Sequence, residues 1–140
     1  MIKNTFIGLI ALVIFTFTGD GPYKDGYYSG ISRAKYTNEP YYGHSKITIQ
    51  NGIITEIDFS VRDSVRHEYF NNNYEKYFAG NNEYIQQCRN DWKGIQSYPD
   101  SLLKYQDPEQ VDVISGATWS YNLFKASVQQ ALSSARKTEE

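Results

Sequence analysis

The residues best placed to do chemistry are Ser115, Gly116, Ala117 and Thr118, which close the β-branched run Val111, Val113 and Ile114. Two hydroxyls stand at either end of this group, and the two small residues between them leave room for close approach by another molecule. A helix-forming stretch begins at once after Thr118. An extended segment that turns through small residues into a helix offers its first free N–H groups, and the positive end of the helix dipole, to whatever occupies the turn. That arrangement suits an anion, and the occupant it implies is a phosphate-bearing cofactor. Asp112 and Trp119 flank the turn. Thr118 also has a plainer role open to it, as an N-cap contributing about 1 kcal/mol to the helix.

The elements that must hold this turn are legible to different degrees. Tyr121, Phe124, Val128, Ala131, Leu132 and Ala135 recur at helical spacing, and neither Pro nor Gly occurs from Thr118 to Glu140. Arg136 and Lys137 suit the negative end of that helix. Ile47 and Ile49 on one arm, and Ile57, Phe59 and Val61 on the other, alternate on either side of Asn51-Gly52. This predicts a β-hairpin with a two-residue type I′ turn and one buried face. Asp25-Gly26-Tyr27-Tyr28-Ser29-Gly30 reads as a turn into a first strand, and residues 36–42, with Asn38 and Pro40, as a loop. Asp63 to His67 is charged and leaves the sheet. Helical pieces are expected near residues 73–79 and 83–92, the second with Tyr84, Ile85, Cys88 and Trp92 as its apolar stripe. The Asn71–Asn73 tract and the Asn81-Asn82 pair read as solvated turns. Ser97-Tyr98-Pro99-Asp100 is expected to interrupt the chain before a short helix over residues 101–106, with Leu102 and Leu103 packing inward. The fold class is α+β: a small antiparallel sheet with a β-hairpin, packed against a C-terminal helix and further short helices.

Composition narrows the function classes. The chain of 140 residues is enough for one domain and too short for two with separate cores. With 14 basic and 16 acidic residues it has no electrostatic case for nucleic acid. Thirteen tyrosines stand out, and Tyr suits both ligand-facing surfaces and ordinary half-buried strands. Cys88 is the single cysteine, so an intrachain disulfide and a Cys-based metal site are both out of reach, and a buried apolar role is expected for it. His44 and His67 lack metal-ligand spacing, and no catalytic signature such as G-x-S-x-G, a P-loop or G-x-G-x-x-G occurs. No metal and no catalytic residue is expected.

The first 19 residues read as a targeting segment. Lys3 precedes an apolar run from Phe6 to Phe17, and Gly19-Asp20-Gly21-Pro22 ends it. That run is the length of a signal-peptide core and too short to span a bilayer, where about 20 residues are needed. Cleavage or retention as an N-terminal anchor are both open. No Cys follows the run, which argues against a lipoprotein. Residues 20–140 form the expected domain, on the periplasmic side or at the outer face of the cytoplasmic membrane.

Three features in order, Asp25-Gly26-Tyr27-Tyr28-Ser29-Gly30, the Asn51-Gly52 hairpin and Asp112-x-x-Ser115-Gly116-Ala117-Thr118, resemble FMN-binding domains. The sequence is similar to the flavin subunit of the sodium-pumping NADH–quinone reductase and to related exported flavoproteins, over most of the chain from about Asp20 to Ala135. The resemblance implies covalent FMN, moved from FAD onto the Thr118 hydroxyl by a dedicated flavin transferase. Ser115, Gly116 and Ala117 would shape the turn, and Asp112 would belong to the sequence the transferase reads. Trp119 and Tyr28 are open to two readings, as ring-stacking aromatics or as core. The resemblance further implies an electron carrier, with no protein acid, base or nucleophile in turnover, working between membrane or periplasmic redox partners. A flavin-dependent reductase of a small acceptor, and a Tyr-rich secreted binding module without flavin, are the alternatives.

Overall fold

The computed structural model describes residues 21–32 and 38–138. The targeting segment predicted for residues 1–19 lies outside them. Four antiparallel strands form one sheet in the order of the chain: β1 (Gly26–Ile31), β2 (Tyr41–Gln50), β3 (Ile53–Asp63) and the short β4 (Glu68–Tyr69). A 3₁₀ segment, Asn72–Phe78, leads into helix α1 (Asn82–Tyr105), and a second, Pro108–Gln110, precedes helix α2 (Thr118–Ser133). The fold is α+β, as the sequence predicts.

The central hairpin forms as its turn residues dictate. Asn51 and Gly52 adopt φ of 54° and 73°, the left-handed pair that a type I′ turn requires. Ile47, Ile49, Ile54, Phe59 and Val61 are buried on one face, against α2 and α1. Asp25 Oδ1 accepts the Gly52 N–H at 2.8 Å, which ties the first turn of the domain to the hairpin. That bond and one from Asn51 hold the Asp25 carboxyl below its usual range. Helix α2 lies across β1 and β2 so closely that a Cβ on Gly30 would stand 1.9 Å from the Ser127 carbonyl oxygen. Ser45 and Ser127, both fully buried, satisfy each other across this contact at 2.6 Å.

Four local expectations differ from what forms. Tyr41 and Tyr42 belong to β2, paired with Asp63 and Arg62, and not to a loop. Asn71 and Asn81 are caps: Asn71 accepts the Asn73 N–H and Asn81 the Tyr84 N–H. Helix α2 ends at Ser133, so no basic residue stands in its last turn, and Arg136 instead bridges to Tyr23. Most consequential, Ser97-Tyr98-Pro99-Asp100 does not interrupt the chain: α1 runs through it for 24 residues with Pro99 inside. An interior proline costs about 3 kcal/mol in a helix. Burial of Ile85, Cys88, Trp92, Tyr98 and Leu102 along one stripe offsets that, at about 1.5–3 kcal/mol for each large apolar side chain.

Candidate functional site

The Ser115–Thr118 turn is built largely by α1. Tyr98, fully buried, accepts the Ile114 N–H at 3.1 Å and donates to the Ala117 carbonyl at 2.9 Å, so one phenol pins both sides of the turn. Four residues back along α1, Gly94 lets the turn come close: a Cβ there would stand 2.9 Å from the Ala117 Cβ and 2.9 Å from Ser120 Oγ. One further turn back, the buried Asp91 carboxylate accepts the Ser120 N–H at 3.0 Å. Gly116 sits at φ +81°, a left-handed conformation that glycine takes without strain, with Asn90 beneath it. Val111 is extended, and Val111 to Ile114 pairs with no strand among the described residues; Tyr121 donates to the Val111 carbonyl at 2.9 Å.

The cap of α2 follows from this. Ala117 is the N-cap and offers no side-chain acceptor, and Thr118 is the first helical residue. Asp91 therefore caps α2 from a neighbouring helix, at Ser120. The two N–H groups ahead of it, of Thr118 and Trp119, find no acceptor among the described residues. Thr118, Ser115, Gly116 and Asp112 are exposed, Ala117 is fully buried and Trp119 is half-buried.

Beside this turn lies a cavity of about 120 Å³ lined by Glu39, Tyr41, Phe70, Tyr84, Gln87, Cys88, Asp91 and Trp119. Its aromatic wall is continuous. The Trp119 ring stands edge-on to Tyr41 at 5.8 Å and to Phe70 at 5.3 Å, and Phe70 packs on Trp92 at 5.5 Å. Behind Tyr41, its hydroxyl donates to Tyr74 Oη at 3.1 Å, and Tyr74 donates to the buried Asp63 carboxylate at 2.6 Å. The polar groups on the α1 side are all disfavoured as anions. Burial, with the Asp91 charge adding to it, pushes the Cys88 thiol up to about 11. Burial and the neighbouring thiol push the Tyr84 phenol up to about 12. Burial raises the Asp91 carboxyl too, against the opposing bonds from Ser120.

Of the residues singled out from the sequence, the structure brings Ser115, Gly116, Ala117, Thr118 and Trp119 together at the head of α2. Asp112 lies just upstream, exposed. Tyr28 is not brought there. In β1 it pairs with Ile47 of β2, two residues before Gly30, which abuts Ser127 and Ala131. Thr118 is nine residues ahead of Ser127, roughly 13 Å along the helix axis. The Tyr28 hydroxyl donates instead to the Lys24 carbonyl at 2.8 Å. Tyr41, Phe70, Asp91, Gly94 and Tyr98 were not singled out. Gly94 within a helical stretch was the available signal, since such a glycine usually has a packing reason.

The family model described as "FMN-binding domain" matches residues 43–133, more than half of the chain. The chain belongs to the FMN-binding domain family. No curated protein matches it. Its fold is similar to a crystal structure from Clostridium perfringens, at 24% identity and a TM-score of 0.65, over 81% of this chain and 88% of that one. A solution structure from Clostridium thermocellum matches at 20% identity and a TM-score of 0.49, over 84% of this chain and 95% of that one. The cofactor class is FMN, and the site fits it. Thr118 supplies an exposed hydroxyl, the first N–H groups of α2 and the αL Gly116 suit a phosphate, and the aromatic cavity beside them suits a ring edge. Two carboxyl groups on the cavity wall, Asp91 and Glu39, oppose an anion, and burial moves Asp91 toward its neutral form.

Proposed function

We propose that this domain is an extracytoplasmic electron carrier holding FMN through a phosphoester to Thr118. The observation that carries the reading is the placement of Thr118. Its hydroxyl is exposed at the head of a helix whose first two N–H groups lack acceptors among the described residues, next to a cavity walled by Tyr41, Phe70 and Trp119. In the attachment step a flavin transferase directs Thr118 Oγ at the FMN phosphorus of FAD. The Oγ–P bond forms, the pyrophosphate bond breaks, AMP departs and the hydroxyl proton is released. Asp112 belongs to the sequence the transferase reads, and Ser115, Gly116 and Ala117 give the turn its shape.

Bound FMN supplies reversible one- and two-electron chemistry, while the chain supplies attachment, orientation and tuning. The helix terminus stabilises the phosphate by about 0.3–1 kcal/mol, too little for retention by itself, so the covalent bond keeps the cofactor in a compartment where a released one would diffuse away. A carrier fits better than a reductase of a small acceptor. The cavity, about 120 Å³, is smaller than sites that enclose a drug-sized ligand, so it takes a ring edge without a second substrate beside it. Electrons would pass to and from membrane or periplasmic redox partners. Co-expression with a flavin transferase, denaturation and in-gel fluorescence test the attachment: wild type should glow, and Thr118→Ala should be dark. A dark wild type, or a fluorescent Thr118→Ala, rejects it. Oxidation of the reduced protein by redox proteins, and not only by small acceptors, would separate carrier from reductase.

A further inference from the structure

The two edges of the sheet are protected to different degrees. On one side β4 is two residues long, and its Glu68 is held by the Tyr77 hydroxyl at 2.5 Å and by Lys76 at 3.8 Å, so that edge is short and charged. On the other side β1 runs for six residues, Gly-Tyr-Tyr-Ser-Gly-Ile, with no charge and no proline, and its register with β2 is unbroken. The devices that usually blunt a sheet edge are missing from it. The bond from the Ser32 N–H to the Gly43 carbonyl fixes which backbone groups face β2: those of Gly26, Tyr28, Gly30 and Ser32. The N–H and C=O groups of Tyr27, Ser29 and Ile31 therefore point out of the sheet. Among the described residues, only the Ile31 N–H meets an acceptor there, the Gln130 side-chain oxygen, which stands where the carbonyl of a neighbouring strand would. The side chains of the same three residues lie on the open face of the sheet, with Tyr27 85% exposed and Ile31 46%.

We infer that β1 pairs with β1 of a second copy of this chain, antiparallel about a two-fold axis at Ser29. The outward groups at Tyr27, Ser29 and Ile31 are symmetric about Ser29, so in that register Ser29 exchanges two bonds with its own copy, and Tyr27 with Ile31 of the second copy. Gln130 gives up the Ile31 N–H to the incoming strand. The register also lays the exposed Tyr27 ring beside Ile31 of the second copy, an aromatic and β-branched pair of the kind that stabilises sheets. Above the edge, the flank of α2 presents Asn122, Ala126, Gln130 and Ser133, which are uncharged and clear of the core. Because α2 lies across both β1 and β2, pairing strands about 4.8 Å apart brings it and its copy to about 10 Å, the spacing of packed helices. Strand register and helix packing thus call for the same partner. The Thr118 turns stand at opposite ends of the paired helices and stay open, so the pairing does not depend on the proposed function.

Light scattering on the full chain in mild detergent should give twice the chain mass, and the double variant Tyr27→Lys, Ile31→Lys should halve it. Both positions are exposed, so the fold should stay, as circular dichroism checks, while pairing would set like charges against each other. Oxidation reads the register. Ser29→Cys should form a disulfide-linked dimer under a mild oxidant, because each Ser29 faces its own copy and the native Cys88 is buried. Tyr27→Cys should not, since its copy would lie about 14 Å away along the strand. Thr55→Cys, exposed on β3, sets the rate of random collision. A single chain mass at every concentration, or a doubled mass that survives both lysines, would overturn the pairing. Linking of Ser29→Cys no faster than Thr55→Cys, or faster linking of Tyr27→Cys, would overturn the two-fold axis at Ser29.

Discussion

Replacing Tyr98 with Phe removes a single oxygen and tests whether α1 builds the attachment turn. That oxygen accepts from the Ile114 N–H at 3.1 Å and donates to the Ala117 carbonyl at 2.9 Å, in a side chain that is fully buried. The ring contacts with Tyr121 and Phe124 survive the change, so the loss is confined to hydrogen bonding. The Ala117 carbonyl keeps the Tyr121 N–H and the Ser120 hydroxyl, each at 3.1 Å, so it is not orphaned. Ile114 is 38% exposed, and water can reach its N–H. Two ordinary bonds lost, with no partner left dry, amount to about 1–2 kcal/mol. For a domain of this size that is roughly a 4–8 °C fall in Tm. Urea unfolding should show the same loss with an unchanged m-value, and the rate of flavin attachment should fall without reaching zero, because Thr118 remains. A Tyr98→Phe chain within about 0.3 kcal/mol of wild type, labelled at the wild-type rate, would refute the account of the turn.

Asp91 provides a pH signature of known sign. Its folded carboxyl lies above the unfolded value of about 3.9, so its contribution to stability is fully present below that value and declines as pH rises to the folded value. Asp91→Asn keeps an acceptor for Ser120 and cannot ionise, so its stability relative to wild type should rise between about pH 4 and neutrality; a gap that stays flat over this range would contradict the assignment. Asp91→Ala should instead lose about 1–3 kcal/mol by orphaning the buried Ser120 N–H, read by urea unfolding. Gly94→Ala sets a helix-propensity gain of about 1 kcal/mol against overpacking of about 1–3 kcal/mol at Ala117 and Ser120. It should be destabilised in urea and label slowly, and a stabilised, fully labelled variant would show that the helices separate without cost. Cys88, buried with its thiol pushed up to about 11, should resist a thiol reagent at neutral pH until the chain unfolds, and fast native reaction would place it outside the core.

Where one segment holds both the signal and its reason, the sequence alone sufficed. Asn51-Gly52 between alternating isoleucines specifies the hairpin, although a register shift between Thr48 and Ile49 that no local signal marks displaces the pairing beyond the turn, and the stripe from Tyr121 to Ala131 specifies α2. Thr118 and its small neighbours could be read as a turn before a helix because every residue involved is local. Pro99 misled because a local rule met a tertiary gain: the apolar stripe from Ile85 to Leu102 outweighs the proline's cost only once a sheet and α2 are there to receive it. The cavity was not legible for a related reason. Its walls come from the segment before β2, the first residue of β2, the residue after β4, α1 and α2, and nothing in Glu39, Tyr41, Phe70 or Cys88 taken singly marks it. Tyr28 and Trp119 are both aromatic residues beside a motif glycine or threonine, yet only register separates them: β1 carries Tyr28 toward the far end of α2.

The central claim is that Thr118 carries the cofactor. Intact-mass measurement of the chain co-expressed with a flavin transferase, followed by fragmentation of the peptide spanning Thr118, tests it most directly. The expected result is a gain of one FMN less one water, located on Thr118 and absent from Thr118→Ala. A wild-type chain of unmodified mass, or the same gain on any other residue, would contradict it.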